Sequence, residues 1–67
     1  MNKYEIVAEK VAEITYTDGK EYVLFPYGNH YKLTPASNYY SMISNANMYT
    51  TINTSDFQEA IEIALSL

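Results

Sequence analysis

Thr17-Asp18-Gly19-Lys20 lies between two apolar alternations, and an Asp-Gly pair in that setting is a strong short-range signal for a β-hairpin. Glycine supplies the positive φ that such a turn requires without a Cβ penalty. Read as a two-residue turn, Asp18-Gly19 sets Tyr16 opposite Glu21, Ile14 opposite Val23 and Ala12 opposite Phe25. One face of the ribbon is then mostly apolar, while Thr15, Thr17 and Lys20 take the other. Pro26 and Gly28 are expected to end the second strand.

Residues 3–13 support two readings. Tyr4, Val7, Val11 and Ile14 fall at helical spacing, and Asn2 with Glu5 has the form of a capping box. Tyr4, Ile6, Ala8, Ala12, Ile14 and Tyr16 equally alternate as in one long strand. No Gly or Asn separates a helix from the hairpin, and Glu5, Glu9 and Glu13 would repel at i,i+4 spacing. The boundary argument favours the strand.

Further along, Asn29 to Leu33 suits a short strand. Thr34-Pro35 looks like an N-cap followed by proline at the first helical position. Ala36, Tyr39 or Tyr40, Ile43 and Ala46 continue that helix to a stop at Asn45 or Asn47, and Met48 to Ile52 suit another strand. In the last segment Ser55 and Gln58 match a capping box, and Phe57, Ala60, Ile61, Ala64 and Leu65 form an apolar stripe. Ile63 and Leu67 widen the stripe, so the helix is expected either to be deeply seated or to meet a second surface, with these two residues left to pair between subunits. The expected fold is one α+β domain over residues 1–67. It has a small, mostly antiparallel sheet, covered by the C-terminal helix and with room for a second short one.

Sixty-seven residues lie near the lower size at which a chain folds unaided. With no cysteine there is no disulfide or thiolate metal site, and this fits a reducing cytoplasm. No apolar run approaches the ~18 residues of a membrane span, and the first residues lack an apolar leader. A net charge of −4 and the absence of arginine argue against direct nucleic-acid or anionic-membrane binding.

Catalytic and cofactor chemistry finds little material. His30 is the lone histidine, and no spacing brings it a nucleophile or an orienting carboxylate. The two glycines belong to turns and not to a phosphate loop. Asn53-Thr54-Ser55 matches a glycosylation acceptor, but its position suits the start of the last helix. The expectation is a non-enzymatic protein without cofactor or metal.

Two patterns point to protein contact. Eight tyrosines are present, and Tyr27, Tyr31, Tyr39, Tyr40 and Tyr49 lie among Asn and Ser in the middle of the chain. That composition recurs in adaptable recognition surfaces. Glu5, Glu9 and Glu13 form one evenly spaced carboxylate series, and Asp56, Glu59 and Glu62 form another on a helix that has no lysine. Regular carboxylates on a rigid scaffold can imitate a phosphate backbone. As solvated faces they need no partner, and Asp56 and Glu59 also favour a helix N-terminus.

In size, acidity, tyrosine content and lack of catalytic groups, the chain is similar to small inhibitors encoded by phages and mobile elements. Anti-CRISPR proteins and uracil-DNA glycosylase inhibitors are examples. The resemblance implies an inhibitor that occupies the basic groove of a nucleic-acid-binding enzyme. The competing expectation is a homodimeric structural or regulatory module, with no mimicry of nucleic acid.

Overall fold

Alternation along the chain builds the architecture in a computed structural model that describes residues 1–41 and 49–67. The described residues form β1 (Lys3–Ala8), β2 (Val11–Thr15), β3 (Glu21–Tyr27), β4 (His30–Pro35), α1 (Ala36–Tyr40), β5 (Thr50–Ile52) and α2 (Phe57–Leu65). The strands make one antiparallel sheet in the order β1-β2-β3-β4-β5, so each pairs with the next in sequence. This is an α+β fold. No described helix is long and apolar enough to cross a membrane.

Residues 3–13 are neither a helix nor one long strand. β1 and β2 fold back on each other through Glu9 and Lys10, and Ala8 sits opposite Val11. Lys10 adopts φ 60°, a left-handed backbone that usually attracts Gly or Asn, which is why the sequence gives no turn signal there. The Asn2–Glu5 capping box accordingly does not exist. Instead the Asn2 amide donates to the Leu65 carbonyl at 2.7 Å, and its side-chain oxygen accepts from the Thr17 N–H at 2.9 Å.

The β2–β3 register is displaced by one residue from the expected one. Thr15 lies opposite Glu21, Ile14 opposite Tyr22 and Ala12 opposite Leu24, in place of Ile14 opposite Val23. The connection is a three-residue loop, Thr17-Asp18-Gly19. Tyr16 N–H donates to Lys20 at 2.9 Å, Gly19 N–H donates back to Tyr16 at 2.9 Å, and Gly19 has φ 87°. Asp18 Oδ1 accepts from Lys20 N–H at 3.0 Å, which favours the longer loop. Pro26 does not end β3; it sits within that strand, opposite Tyr31 and beyond the last pairing with β2. A two-residue turn at Gly28-Asn29 then leads into β4, which makes His30 a strand residue opposite Tyr27.

Period-two alternation divides the sheet into two faces. Ala12, Ile14, Leu24, Tyr31, Leu33 and Ile52 share one face, and with Ala60, Ile61 and Ala64 of α2 they form the buried cluster. A nine-residue helix is marginal by itself, so this apolar seat holds α2 in place. Its cap is Asp56, without a side-chain hydrogen bond, and the Ser55–Gln58 box is not formed. Ile63 is partly buried and packs against the core. Leu67 stays exposed.

The opposite face carries Val23 and Thr34, both fully buried, beside α1. Asn38 Nδ2 donates to Thr34 Oγ1 at 2.8 Å, satisfying the buried hydroxyl. Thr34 is therefore a strand residue, and Pro35 occupies the cap position of α1. The expected continuation of this helix through Ile43 and Ala46, the stop at Asn45 or Asn47, and Met48 lie outside the described residues.

Candidate functional site

The α1 face gathers most of the residues singled out for contact. Phe25 of β3 is the centre: its ring lies 5.2 Å from Tyr39 and 5.8 Å from Tyr49. Tyr39 and Tyr40 meet edge-on at 5.1 Å. Lys32 of β4 places its ammonium 4.0 Å from the centre of the Tyr27 ring and 5.1 Å from that of Tyr49. A cation shared by two aromatic faces ties the cluster to the sheet without burying the charge. Tyr27 and Tyr40 remain more than half exposed, at 56% and 58%, so broad aromatic area is presented outward.

Tyr31 is not part of this surface. It is 3% exposed on the opposite face, where it stacks on Phe57 at 5.7 Å. It is a core residue because it pairs with Pro26 and Ile52, whose side chains share the α2 face. The sequence around it, Gly28-Asn29-His30-Tyr31, is loop-like in composition and hides that alternation. Tyr16 and Tyr22 likewise belong to the α2 side. Their rings meet edge-on at 5.4 Å, and the Tyr16 hydroxyl donates to the Ala64 carbonyl at 2.7 Å. Burial pushes the Tyr16 phenol above its usual pKa, and the neighbouring Tyr22 adds to the effect.

The first carboxylate series is rearranged by the β1–β2 reversal. Glu9 lies in the turn and no longer continues a line through Glu5 and Glu13. Glu5 and Glu13 instead face each other directly across β1 and β2. Glu21, at the start of β3, is diagonal to Glu13 on the same face, about 7–8 Å away by sheet geometry. Glu5, Glu13 and Glu21 line one shallow depression of about 230 Å³ with Lys3, Tyr4 and Thr15. Glu21 carries no periodic signal along the chain, and only the register brings it to Glu13. Among the described residues no three or more His, Asp or Glu stand close enough together to hold a metal ion.

One contact joins the two groups. The Tyr40 hydroxyl donates to Glu13 Oε2 at 2.5 Å, and this hydrogen bond is the main cause of a phenol pKa pushed up to about 12. The carboxylate row and the tyrosine cluster therefore form one continuous face. Asp56, Glu59 and Glu62 are exposed on α2, on the other side of the sheet from this cluster. Asp56 caps the helix and Glu59 lies in its first turn, where both suit the positive end of the dipole.

His30 lies beside this face, with its ring 5.8 Å from Tyr27 and Nδ1 3.3 Å from Asn29 Oδ1. The α2 side holds a larger cleft of about 370 Å³ at the end where β2 turns into β3, lined by Asn2, Tyr16, Tyr22, Leu33, Thr50 and Leu67, among others. Comparison with protein-family models, curated proteins and solved structures yields no match.

Proposed function

We propose that the protein is a non-enzymatic, protein-binding inhibitor of a nucleic-acid-binding enzyme, and that the α1 face is its contact surface. The observation that carries this reading is the Tyr40–Glu13 hydrogen bond, which couples a carboxylate row to an exposed aromatic cluster. Each half has its task. Glu5, Glu13 and Glu21 steer the protein towards a basic groove and stand in for phosphates there. Tyr27, Tyr39, Tyr40 and Tyr49 supply the amphipathic area that slows release.

The carboxylates also have a cost to the folded chain. Like charges directly opposite on adjacent strands destabilise a sheet by up to about 1 kcal/mol, and Glu5 faces Glu13. Such a juxtaposition is what a surface built to meet a cationic partner would retain.

The test is affinity capture of the target from a bacterial lysate, followed by binding across a salt series with duplex and single-stranded DNA as competitors. Joint reversal of Glu5, Glu13 and Glu21 to Lys should abolish capture, while reversal of Asp56, Glu59 and Glu62 should leave it largely intact. Binding indifferent to salt, to DNA and to the first reversal would overturn the mimicry mechanism.

A further inference from the structure

Among the described residues β1 is an edge strand, and all six of its residues are exposed. An unpaired edge is a template for another strand, and proteins commonly guard such edges with lysine, proline or a bulge. β1 has Lys3 and a bulge between Ile6 and Ala8. It also leaves Tyr4 and Ile6 43% and 56% exposed on the α2 face, beyond the buried cluster.

We infer that β1 pairs with β1 of a second copy of this chain, in antiparallel register about a two-fold axis at Tyr4. The register follows from charge and from the pleat. Two copies of one strand keep their side chains on matching faces only when odd residues meet odd and even meet even. A two-fold axis at Lys3 sets lysine against lysine, and one at Glu5 sets carboxylate against carboxylate. An axis at Ile6 runs the ladder across the bulge, sets Glu5 against Val7 and leaves Lys3 only the turn residue Glu9. An axis at Tyr4 places Lys3 opposite the second copy's Glu5, and Glu5 opposite its Lys3. Reciprocal ion pairs result on the α1 face, while on the α2 face Tyr4 meets Tyr4 of the second copy and Ile6 lies diagonal to it, opposite Asn2. Opposite charges and aromatic pairs are the cross-strand contacts that stabilise a sheet. Glu5, which lies opposite the Glu13 carboxylate within its own chain, gains a cation from the second copy.

The pairing draws on Glu5, which the inhibitory reading also uses, but it is tested without any other partner. Sedimentation of the wild-type chain should show a concentration-dependent dimer, with hydrogen-exchange protection of residues 2–6 rising alongside it. Lys3→Glu alone and Glu5→Lys alone should each weaken dimerisation by at least about tenfold, because each creates like-charge pairs across the axis. Mixing these two variants should restore association as a heterodimer, since each then supplies the charge the other lacks. Thermal melting of each variant shows that it remains folded. A wild-type chain that stays monomeric at ~1 mM, where even an interface worth about −4 kcal/mol is substantially populated, would overturn the inference. So would a dimer that ignores both single variants, or folded variants that fail to associate on mixing. Lys3→Glu leaves Glu5, Glu13 and Glu21 untouched, so its effect is separable from loss of the carboxylate row.

Discussion

The hydroxyl of Tyr40 reaches across 27 positions of the chain to the carboxylate of Glu13, at 2.5 Å. α1 is thereby fastened to β2, a strand from which β3 separates it in the sheet. Ionisation of the phenol would remove the donated proton and set two anions against each other.

That gives a pH expectation. The Tyr40 phenol is pushed up from 10.0 to about 12, and the Tyr16 phenol is also raised, by burial. A raised pKa means that the folded state holds the proton more tightly than the unfolded state. Stability is therefore complete below the unfolded value of 10.0 and is lost as pH rises through the folded values. Denaturation midpoints measured upward from pH 9 should fall over that interval. Tyr40→Phe should remove the latest step from an ultraviolet titration of the tyrosines. An unaltered titration curve in that variant would refute the assignment.

The two turns at either end of β2 should respond to substitution with opposite signs. Lys10 holds a left-handed backbone that costs a side-chain-bearing residue roughly 1–2 kcal/mol, so Lys10→Gly should stabilise the fold by about 1 kcal/mol. Gly19→Val should cost at least that much. A Cβ at Gly19 meets nothing within 4 Å, so the penalty is conformational and not steric. For a chain of this size, about 1 kcal/mol corresponds to roughly 4–8 °C in thermal midpoint, which calorimetry resolves.

Tyr16→Phe leaves the aromatic contact with Tyr22 but removes the hydroxyl that donates to the Ala64 carbonyl, which keeps the Leu67 N–H at 3.3 Å. A loss of about 1 kcal/mol is expected. Asn2→Ala removes hydrogen bonds to both Leu65 and Thr17, and chemical denaturation should show a loss at least as large. Stability unchanged in both variants would mean that α2 is held by its apolar seat alone.

Glu5→Gln removes the charge opposite Glu13 and should stabilise the dilute protein by a few tenths of a kcal/mol, up to about 1. The gain should shrink as salt is added, because the repulsion is between exposed charges. In capture experiments the same variant should bind its target more weakly. A position that improves folding while impairing binding is a mark of a contact residue.

Local pattern foretold some elements and missed others for physical reasons. The stripe from Phe57 to Leu65 is dense enough to specify α2, whose buried residues Ala60, Ile61 and Ala64 lie on it. The turn at Glu9-Lys10 was invisible because the backbone there is held by strand pairing against the preference of the residue. The β2–β3 register slipped by one because Asp-Gly suits both two- and three-residue loops, and alternation in Glu21–Tyr27 is blurred by Val23 and Leu24, buried on opposite faces. Four of the five mid-chain tyrosines, Tyr27, Tyr39, Tyr40 and Tyr49, share the α1 face with Glu5 and Glu13. Tyr31 does not, since its burial depends on β4 lying between β3 and β5. Glu21 was missed because adjacency across strands leaves no trace in linear spacing.

Asn2 and Leu65 are 63 positions apart and directly bonded, so the chain closes on itself like a ring. Any polypeptide continuing before Met1 or beyond Leu67 would depart from a single corner of the molecule. A short peptide could join those ends while the Gly28-Asn29 turn is cut open to make new ones. The sheet would then begin at β4 and finish at β3, with every strand keeping its present neighbours.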